Sequence, residues 1–404
     1  MKSDSSENGT TPFQAASTAL ASTVGTGNIV GTAQAIAMGG PGAVFWLWVT
    51  ALFGMIIKYT EIFLSLKFRK KQKDGSCLGG PMYYIEALGK AFIPLAWCYA
   101  LFASVSAIGM GNMTQINSGV SAVCLAVNQF SHFNENSETW FRLCIGLVLF
   151  LLVYKILSGG AKSVGKTAEI LVPVMSIAFL VLSIIVLICH AQKLPQALYT
   201  IIVSAFTPEA MGGAAAGIGF REAVHWGMRR SAFSNEAGLG SSALAHVAVE
   251  TNSFAEHSLW GIFEVFVDTI LICTAVALVI LVSGIPIPWN SSPGPELFKN
   301  ALATVYGDRL SAIFMSASMF VFAFATVIGW SIYGERCVCY MFGAGAKNAY
   351  RLIYCSCIPV GCIMSTSFIW TIADLANVLM SIPNFIALLI LSHNKNFYEQ
   401  KLKS

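Results

Sequence analysis

Two hydrophobic segments of this chain are interrupted in their middles, and a membrane tolerates such interruptions only under narrow conditions. The first reads AASTALAST-VGTGN-IVGTAQAIAM, with Gly25, Thr26, Gly27 and Asn28 at the break. The second reads WGMRRSAF-SNEAGLG-SSALAHVAV, with Ser234 to Gly240 at the break. Each break carries Asn-x-x-Gly, Asn28 to Gly31 and Asn235 to Gly238, and the two asparagines stand 207 residues apart in a chain of 404. Inside lipid an unpaired backbone group finds no water, so a helix unwinds only where it faces protein or a water-filled cavity. Two unwound stretches at matching places in two halves predict a shared polar site near the membrane midplane, the arrangement expected of a secondary transporter.

The rest of the chain requires that membrane. Hydrophobic residues make up 56% and charged residues 11%, against roughly 25% charged in soluble domains. Mean hydropathy is +0.68. Several apolar runs reach the ~20 residues that cross a bilayer as a helix. They are continuous rather than alternating, which excludes a β-barrel. The fold class expected is all-α integral membrane, with ten segments at 13–38, 43–66, 91–126, 140–158, 168–191, 221–249, 257–284, 311–334, 350–368 and 371–392.

Ten segments divide into five and five, and an odd number per half makes the second half enter the membrane the opposite way. AEILVPVMSI (168–177) and ADLANVLMSI (373–382) share Ala, Met, Ser and Ile in register, with Glu169 opposite Asp374, at an offset of 205 close to that of the breaks. The expected organisation is a polar leader (1–12), a first five-helix repeat (13–192), an extracellular connector (193–220), a second repeat (221–392) and a cytoplasmic tail (393–404). Basic residues set the orientation. KFRKKQK (67–73) marks a cytoplasmic loop, and alternation puts most of the 24 Lys and Arg, including Lys155, Lys162, Lys166, Arg336, Lys347 and Arg351, on that side with both termini. A multi-pass protein of the cell inner (plasma) membrane is expected. The polar start MKSDSSENGTT lacks the apolar core of a signal peptide. The connectors 192–220 and 285–310 read as flexible or as covers of an outer vestibule.

Unwinding frees N–H groups at the start of each second half-helix and carbonyls at the end of each first. The N–H end suits a carboxylate and the carbonyl end a small cation. Polar residues within spans are the other candidates. Asn112, Thr114, Gln115 and Asn117 lie in the third segment, and Gln115 carries both a donor and an acceptor. Thr326 and Trp330 are four apart on one face of the eighth. Buried acids need partners: Glu61 is spaced to pair with Lys58, Glu264 and Asp268 share a face, and Glu236 or Asp268 also fits a proton relay. Arg229 and Arg230 are expected at an outer vestibule. The eleven Cys read as small apolar core residues. No nucleophile–base pattern stands out. The chain is not expected to be an enzyme, and a channel or a non-transporting receptor stays open beside a transporter.

The stretches GTGNIVGTAQAIAMGGPGAVFWLWVTALFG (25–54), GGPMYYIEALG (79–89), FSNEAGLGS (233–241), TVIGWSIYGER (326–336) and IADLANVLMSIPN (372–384) give the chain a resemblance to the alanine or glycine:cation symporter family, the sodium:alanine symporters. It runs from about Pro12 to Ser392, with Leu47 where Met is usual and Ser231 where Gly is usual. Family members carry a further membrane helix before the region matching Pro12, where this sequence has a short polar leader. The resemblance implies a LeuT-type five-plus-five inverted repeat of about ten transmembrane helices, two of them broken. It implies alternating-access symport of a small neutral amino acid, alanine or glycine, with Na⁺ as coupling ion, H⁺ being the alternative. The substrate residues it implies are Gly25, Gly27, Asn28, Gln115, Phe233, Thr326 and Trp330, and the cation is assigned to Thr23, Thr26 and Thr326. The partners expected are that amino acid and the lipid bilayer, with no organic cofactor and no nucleic acid.

Overall fold

A computed structural model describes residues 10–71, 77–130, 134–207, 219–364 and 366–393. Most of the polar leader and the tail, and the glycine-rich run 211–218, lie outside the described residues. The first half contains α1 (Pro12–Thr23), α2 (Thr26–Gly39), α3 (Gly42–Lys67), a short hairpin of β1 (Lys70–Lys71) and β2 (Cys77–Leu78), α4 (Pro81–Glu86), α5 (Ile93–Ile108), α6 (Gln115–Val127), α7 (Glu135–Ser158), α8 (Gly160–Cys189) and α9 (Leu194–Ser204). The second contains α10 (Phe220–Asn235), α11 (Ser241–His246), α12 (Phe254–Val265), α13 (Thr274–Ser283), α14 (Glu296–Phe342), α15 (Lys347–Ile363) and α16 (Thr366–His393). A π-helical turn, Gly109–Thr114, joins α5 to α6, and a second, Phe266–Cys273, joins α12 to α13.

Counted as traverses, these are five and five. Among the described residues, seven helical stretches are long and apolar enough to span a membrane. The other three traverses are the broken pairs α1/α2 and α10/α11, whose pieces run 6 to 16 residues, and the 17-residue α15. The broken helices fall short because they are rich in Gly, Ser, Thr and Asn, and their burial explains why that is tolerated. Every residue of α11, and α1 from Ala15 onward, is buried. The lipid boundary falls to helices such as α8, where Ile170, Val174 and Ile177 are more than 60% exposed. The fold is a multi-pass bundle of membrane-spanning helices with the interrupted helices at its centre.

The structure corrects two expectations about the connectors. Residues 285–310 are not a plain loop: α14 starts at Glu296 and turns at Gly307, whose φ is +72°. Leu297, Phe298, Ala301 and Leu302 are buried. Phe298 stacks on Phe179 of α8 at 5.6 Å, and the Tyr306 hydroxyl donates to the Leu182 carbonyl at 2.8 Å. The 192–207 part of the other connector includes α9, which buries Ala197 and Ile201 and packs on α3 and α13. Apolar residues at helical spacing form both pieces.

One end of the bundle is closed by polar contacts around α11. Its last carbonyls lie beyond the reach of a six-residue helix's own bonds. Arg69 donates to Val247 and Val249 at 3.1 and 2.6 Å, Arg336 donates to Leu244, and Thr10 bridges Val249. The opposite end, which α2, α6 and α10 share, holds a cavity of about 660 Å³ lined by Val30, Gln34, Asn117, Arg142, Arg230 and Asp374. Arg229 closes on Asp374 at 2.5 Å beside it.

Candidate functional site

The two breaks meet. At the first, Gly25 takes an extended conformation at the cap of α2, and its amide donates to Asn28 Oδ1 at 2.8 Å. The amide and hydroxyl of Thr26 both donate to Gln115 Oε1, at 3.0 and 2.9 Å. A glycine is needed at 25 because a Cβ there would lie 2.8 Å from both Gln115 Oε1 and Thr326 Oγ1. Gly25 at the cap of α2, Gln115 of α6 and Thr326 of α14 therefore surround one point. Thr326 Oγ1 also donates to the Phe322 carbonyl at 3.0 Å and lies 3.4 Å from the Val24 carbonyl, at the end of α1. The Thr23 hydroxyl bonds back to Ala19 and Leu20 within α1.

The second break is built by backbone geometry. The α10 helix ends on Glu236 in the left-handed region, with φ +57° and ψ +14°, and Gly238 and Gly240 follow at φ +93° and +71°. Tyr99 donates to the freed Leu239 carbonyl at 2.9 Å. Asn384 donates to the Gly238 carbonyl at 2.8 Å, and Glu61 accepts from the Gly240 amide at 3.0 Å. Lys58 does not pair with Glu61. Its ammonium lies 3.3 Å from Glu264 and donates to the Asn235 carbonyl at 3.0 Å, because the helix α12 and the break both pack on its side of α3. Glu61 accepts from Asn384 at 2.6 Å instead. Glu264 continues to His246 and then His257, each step 2.7 Å.

Between the breaks stands a polar cluster. The Asn28 amide donates to Ser234 Oγ at 2.9 Å and to Asp268 Oδ1 at 2.7 Å. Ser234 and Thr269 hydroxyls each donate to Asp268 Oδ2 at 2.8 Å. Asn28, Asp268 and Thr269 are fully buried and Ser234 nearly so. Asp268 sits inside the π-helical turn Phe266–Cys273. Two carboxylate oxygens and two rotatable hydroxyls in a buried centre match the oxygen ligands a hard cation prefers, since each hydroxyl can turn its lone pairs inward.

Aromatic residues bound the space beside this cluster. The Phe233 ring faces Gly27, where a Cβ would come within 2.9 Å of it. Trp330 is fully buried, crosses Tyr333 edge-on at 5.3 Å and covers Gly111 of the other π-helical turn. Its indole N–H donates to Glu236 at 2.9 Å. The structure thus brings Gly25, Thr26, Gln115 and Thr326 together, and Gly27 against Phe233, with Asn28 on the side of Asp268. Sequence reasoning left out Ser234 and Thr269 and did not connect Asp268 to Asn28. Their signal was present in the Asn of the first break, whose side-chain amide donors need acceptors once it is buried in the membrane.

A family profile described as "Sodium:alanine symporter family" matches residues 1–403. A sodium/alanine symporter of Methanococcus maripaludis is 38% identical over 399 residues, covering 96% of this chain and 83% of that protein. A probable sodium/glutamine symporter of Bacillus subtilis is 34% identical over 392 residues, covering 96% and 77%. An uncharacterized transporter of Haemophilus influenzae is 37% identical over 399 residues, covering 97% and 84%. Among solved structures, MhsT in complex with L-phenylalanine superposes with a TM-score of 0.69 at 14% identity, covering 96% of this chain and 90% of that one.

Proposed function

This chain belongs to the sodium:alanine symporter family and is an amino acid transporter, and from that premise we propose that it couples Na⁺ entry to uptake of a small neutral amino acid, alanine or glycine. The observation that carries the reading is the direct bond between the breaks, Asn28 to Ser234 at 2.9 Å, with Asp268 completing the cluster. The cation takes Asp268, with the Ser234 and Thr269 hydroxyls turned toward it. The carbonyl of Val24 with Thr326 offers oxygen to a second cation at the end of α1. The amino acid lies between Gly25, Gln115 and Thr326. Phe233 and Trp330 bound its side chain, a reading that the small substrate named for the M. maripaludis sodium/alanine symporter supports.

Two glycine-lined breaks let the centre change shape while the surrounding helices rock about it. In this arrangement the 660 Å³ cavity is the extracellular vestibule, and the Arg69 and Arg336 contacts hold the cytoplasmic side shut. That sidedness follows the basic residues of 67–73, with both termini on the cytoplasmic side of the cell membrane. A zwitterion is neutral, so each Na⁺ moves one charge inward, which supplies about 2.3 kcal/mol per 100 mV. One extra methylene changes binding in an apolar pocket by only about 1–3 kcal/mol, so discrimination among alanine, glycine and serine is modest.

Labelled alanine uptake into proteoliposomes, with an inward Na⁺ gradient, with K⁺ replacing Na⁺ and with an inward H⁺ gradient, tests this. Concentrative uptake is expected only with Na⁺. Equal uptake with Na⁺ and K⁺ sinks the coupling, and uptake driven by the H⁺ gradient alone transfers it to protons.

A further inference from the structure

Glu236 is an unusual residue for its position. It holds a left-handed conformation, φ +57° and ψ +14°, at the point where α10 stops. Glycine adopts that conformation without strain, and the next two left-handed positions of this break are glycines. A residue with a side chain there costs backbone energy, and such strain persists where the surroundings over-determine it. The side chain explains what over-determines it. One oxygen accepts from the Trp330 indole at 2.9 Å and the other from Ser241 Oγ at 2.5 Å. Ser241 is the first residue of α11, and Trp330 lies in α14. Glu236 is buried to 99%, so no water competes for these bonds.

Three elements are therefore tied through one side chain: the end of α10, the start of α11 and the aromatic wall of the site. The indole N–H is a single donor and Trp330 has no other polar atom. Among the described residues its hydrogen-bond partner is Glu236. Gly111 packs against the root of the ring, where a Cβ would lie 2.3 Å from Cγ, and Tyr333 meets the ring edge-on, so Glu236 adds the one polar anchor to that apolar packing among the described residues.

We propose that Glu236 is a positioning residue that fixes the Trp330 indole and thereby sets the upper size of amino acid that the site admits. The inference rests on Trp330 bounding the substrate side chain. It separates reach from charge. Glu236→Gln keeps an oxygen at the same distance for the indole, and its amide still bonds the Ser241 hydroxyl. Glu236→Asp keeps the acid but withdraws it by one methylene, beyond the indole.

The test compares uptake of labelled alanine and labelled leucine, each below saturation, into proteoliposomes containing the full chain under an inward Na⁺ gradient. E236Q is expected to keep the parental alanine-over-leucine ratio. E236D is expected to lower it by about 3- to 10-fold, the worth of one net hydrogen bond. Trp330→Phe, which lacks the donor, is expected to lower the ratio by itself, and E236D added to W330F to change it no further. A parental ratio in E236D, or an E236D effect of full size in the W330F background, overturns the proposal alone. So does loss of transport in E236Q with retention in E236D, which would make the charge the essential property. A parental ratio in W330F removes the premise that Trp330 bounds the side chain. Competition of leucine against bound alanine in the detergent-purified protein reads the same ratio for a variant that binds but does not transport.

Discussion

Replacing Asp268 by Asn changes one atom in the polar cluster and tests where the cation binds. Three donors converge on the Asp268 carboxylate, from Asn28 at 2.7 Å and from Ser234 and Thr269 at 2.8 Å each. Asparagine offers one acceptor oxygen and one donor group. If its oxygen keeps the Asn28 bond, its amide faces two hydroxyls that can rotate to accept. The cluster then survives, with its charge-assisted bonds replaced by neutral ones at a cost on the order of 1–3 kcal/mol. The cation loses more. A unit charge about 2.4 Å away contributes roughly 7 kcal/mol at an effective dielectric of about 20. Stripping water from the ion and the carboxylate offsets much of this. Even if three quarters is cancelled, the remainder exceeds a factor of about ten in affinity. The assay is alanine uptake against external Na⁺ concentration at fixed ionic strength. D268N is expected to raise the Na⁺ concentration for half-maximal uptake by more than about tenfold and to leave alanine affinity at saturating Na⁺ within a few-fold. An unchanged Na⁺ dependence refutes the assignment. A shift found in Thr326→Val but absent in D268N places the coupling cation at the end of α1.

Further outcomes follow from other contacts. Gly25→Ala puts a methyl 2.8 Å from Gln115 Oε1 and Thr326 Oγ1; uptake should fall below a tenth of the parental rate with normal membrane expression, and a fully active variant would remove Gly25 from the substrate's space. Lys58→Met removes the ammonium from Glu264 and leaves the carboxylate with His246 as its remaining partner at zero exposure, which should cost about 3–5 kcal/mol; the thermal midpoint in detergent should drop and partly recover in K58M/E264Q, and a neutral K58M contradicts the pairing. Arg229→Ala breaks an ion pair that is 43% and 25% exposed, so stability should change by less than about 1 kcal/mol; a large fall in the thermal midpoint would show that this pair holds the bundle together rather than guarding the cavity mouth.

The sequence disclosed the spans because a bilayer enforces them. The apolar run read as 43–66 is α3, Gly42–Lys67. The breaks were legible because glycine and asparagine have no other reason to cluster in lipid. The eighth helix runs on to Phe342, past the expected end at 334, because CVCYMF is still apolar and the first left-handed glycine is Gly343. What stayed hidden was pairing across the fold. Asn28 and Asp268 are 240 residues apart, and no local pattern links them. Lys58 had an acid three residues away in Glu61, and sequence spacing favoured it over Glu264, which tertiary packing brings to the ammonium. Residues 296–306 were obscured by the Pro and Gly before them, although their apolar residues follow a helical period.

The two π-helical turns carry a consequence for how this family can vary. Each lets a spanning helix hold one residue more than an α-helix of the same height. Removing one residue from Gly109–Thr114 would relax that stretch to an α-helix while the helix on either side keeps its face and height. Gln115 follows the first turn and would stay at the first break, whereas Asp268 lies inside the second, where the loss of a residue redraws the backbone that holds it against Asn28. A single-residue deletion in Gly109–Thr114 should therefore be inserted, folded and active, and one in Phe266–Cys273 inserted, folded and inactive, while a deletion in the regular helix α7 turns every residue beyond it by about 100°. The extra residue thus matters where a site residue sits within the turn, at Asp268, and not where one sits beyond it, at Gln115.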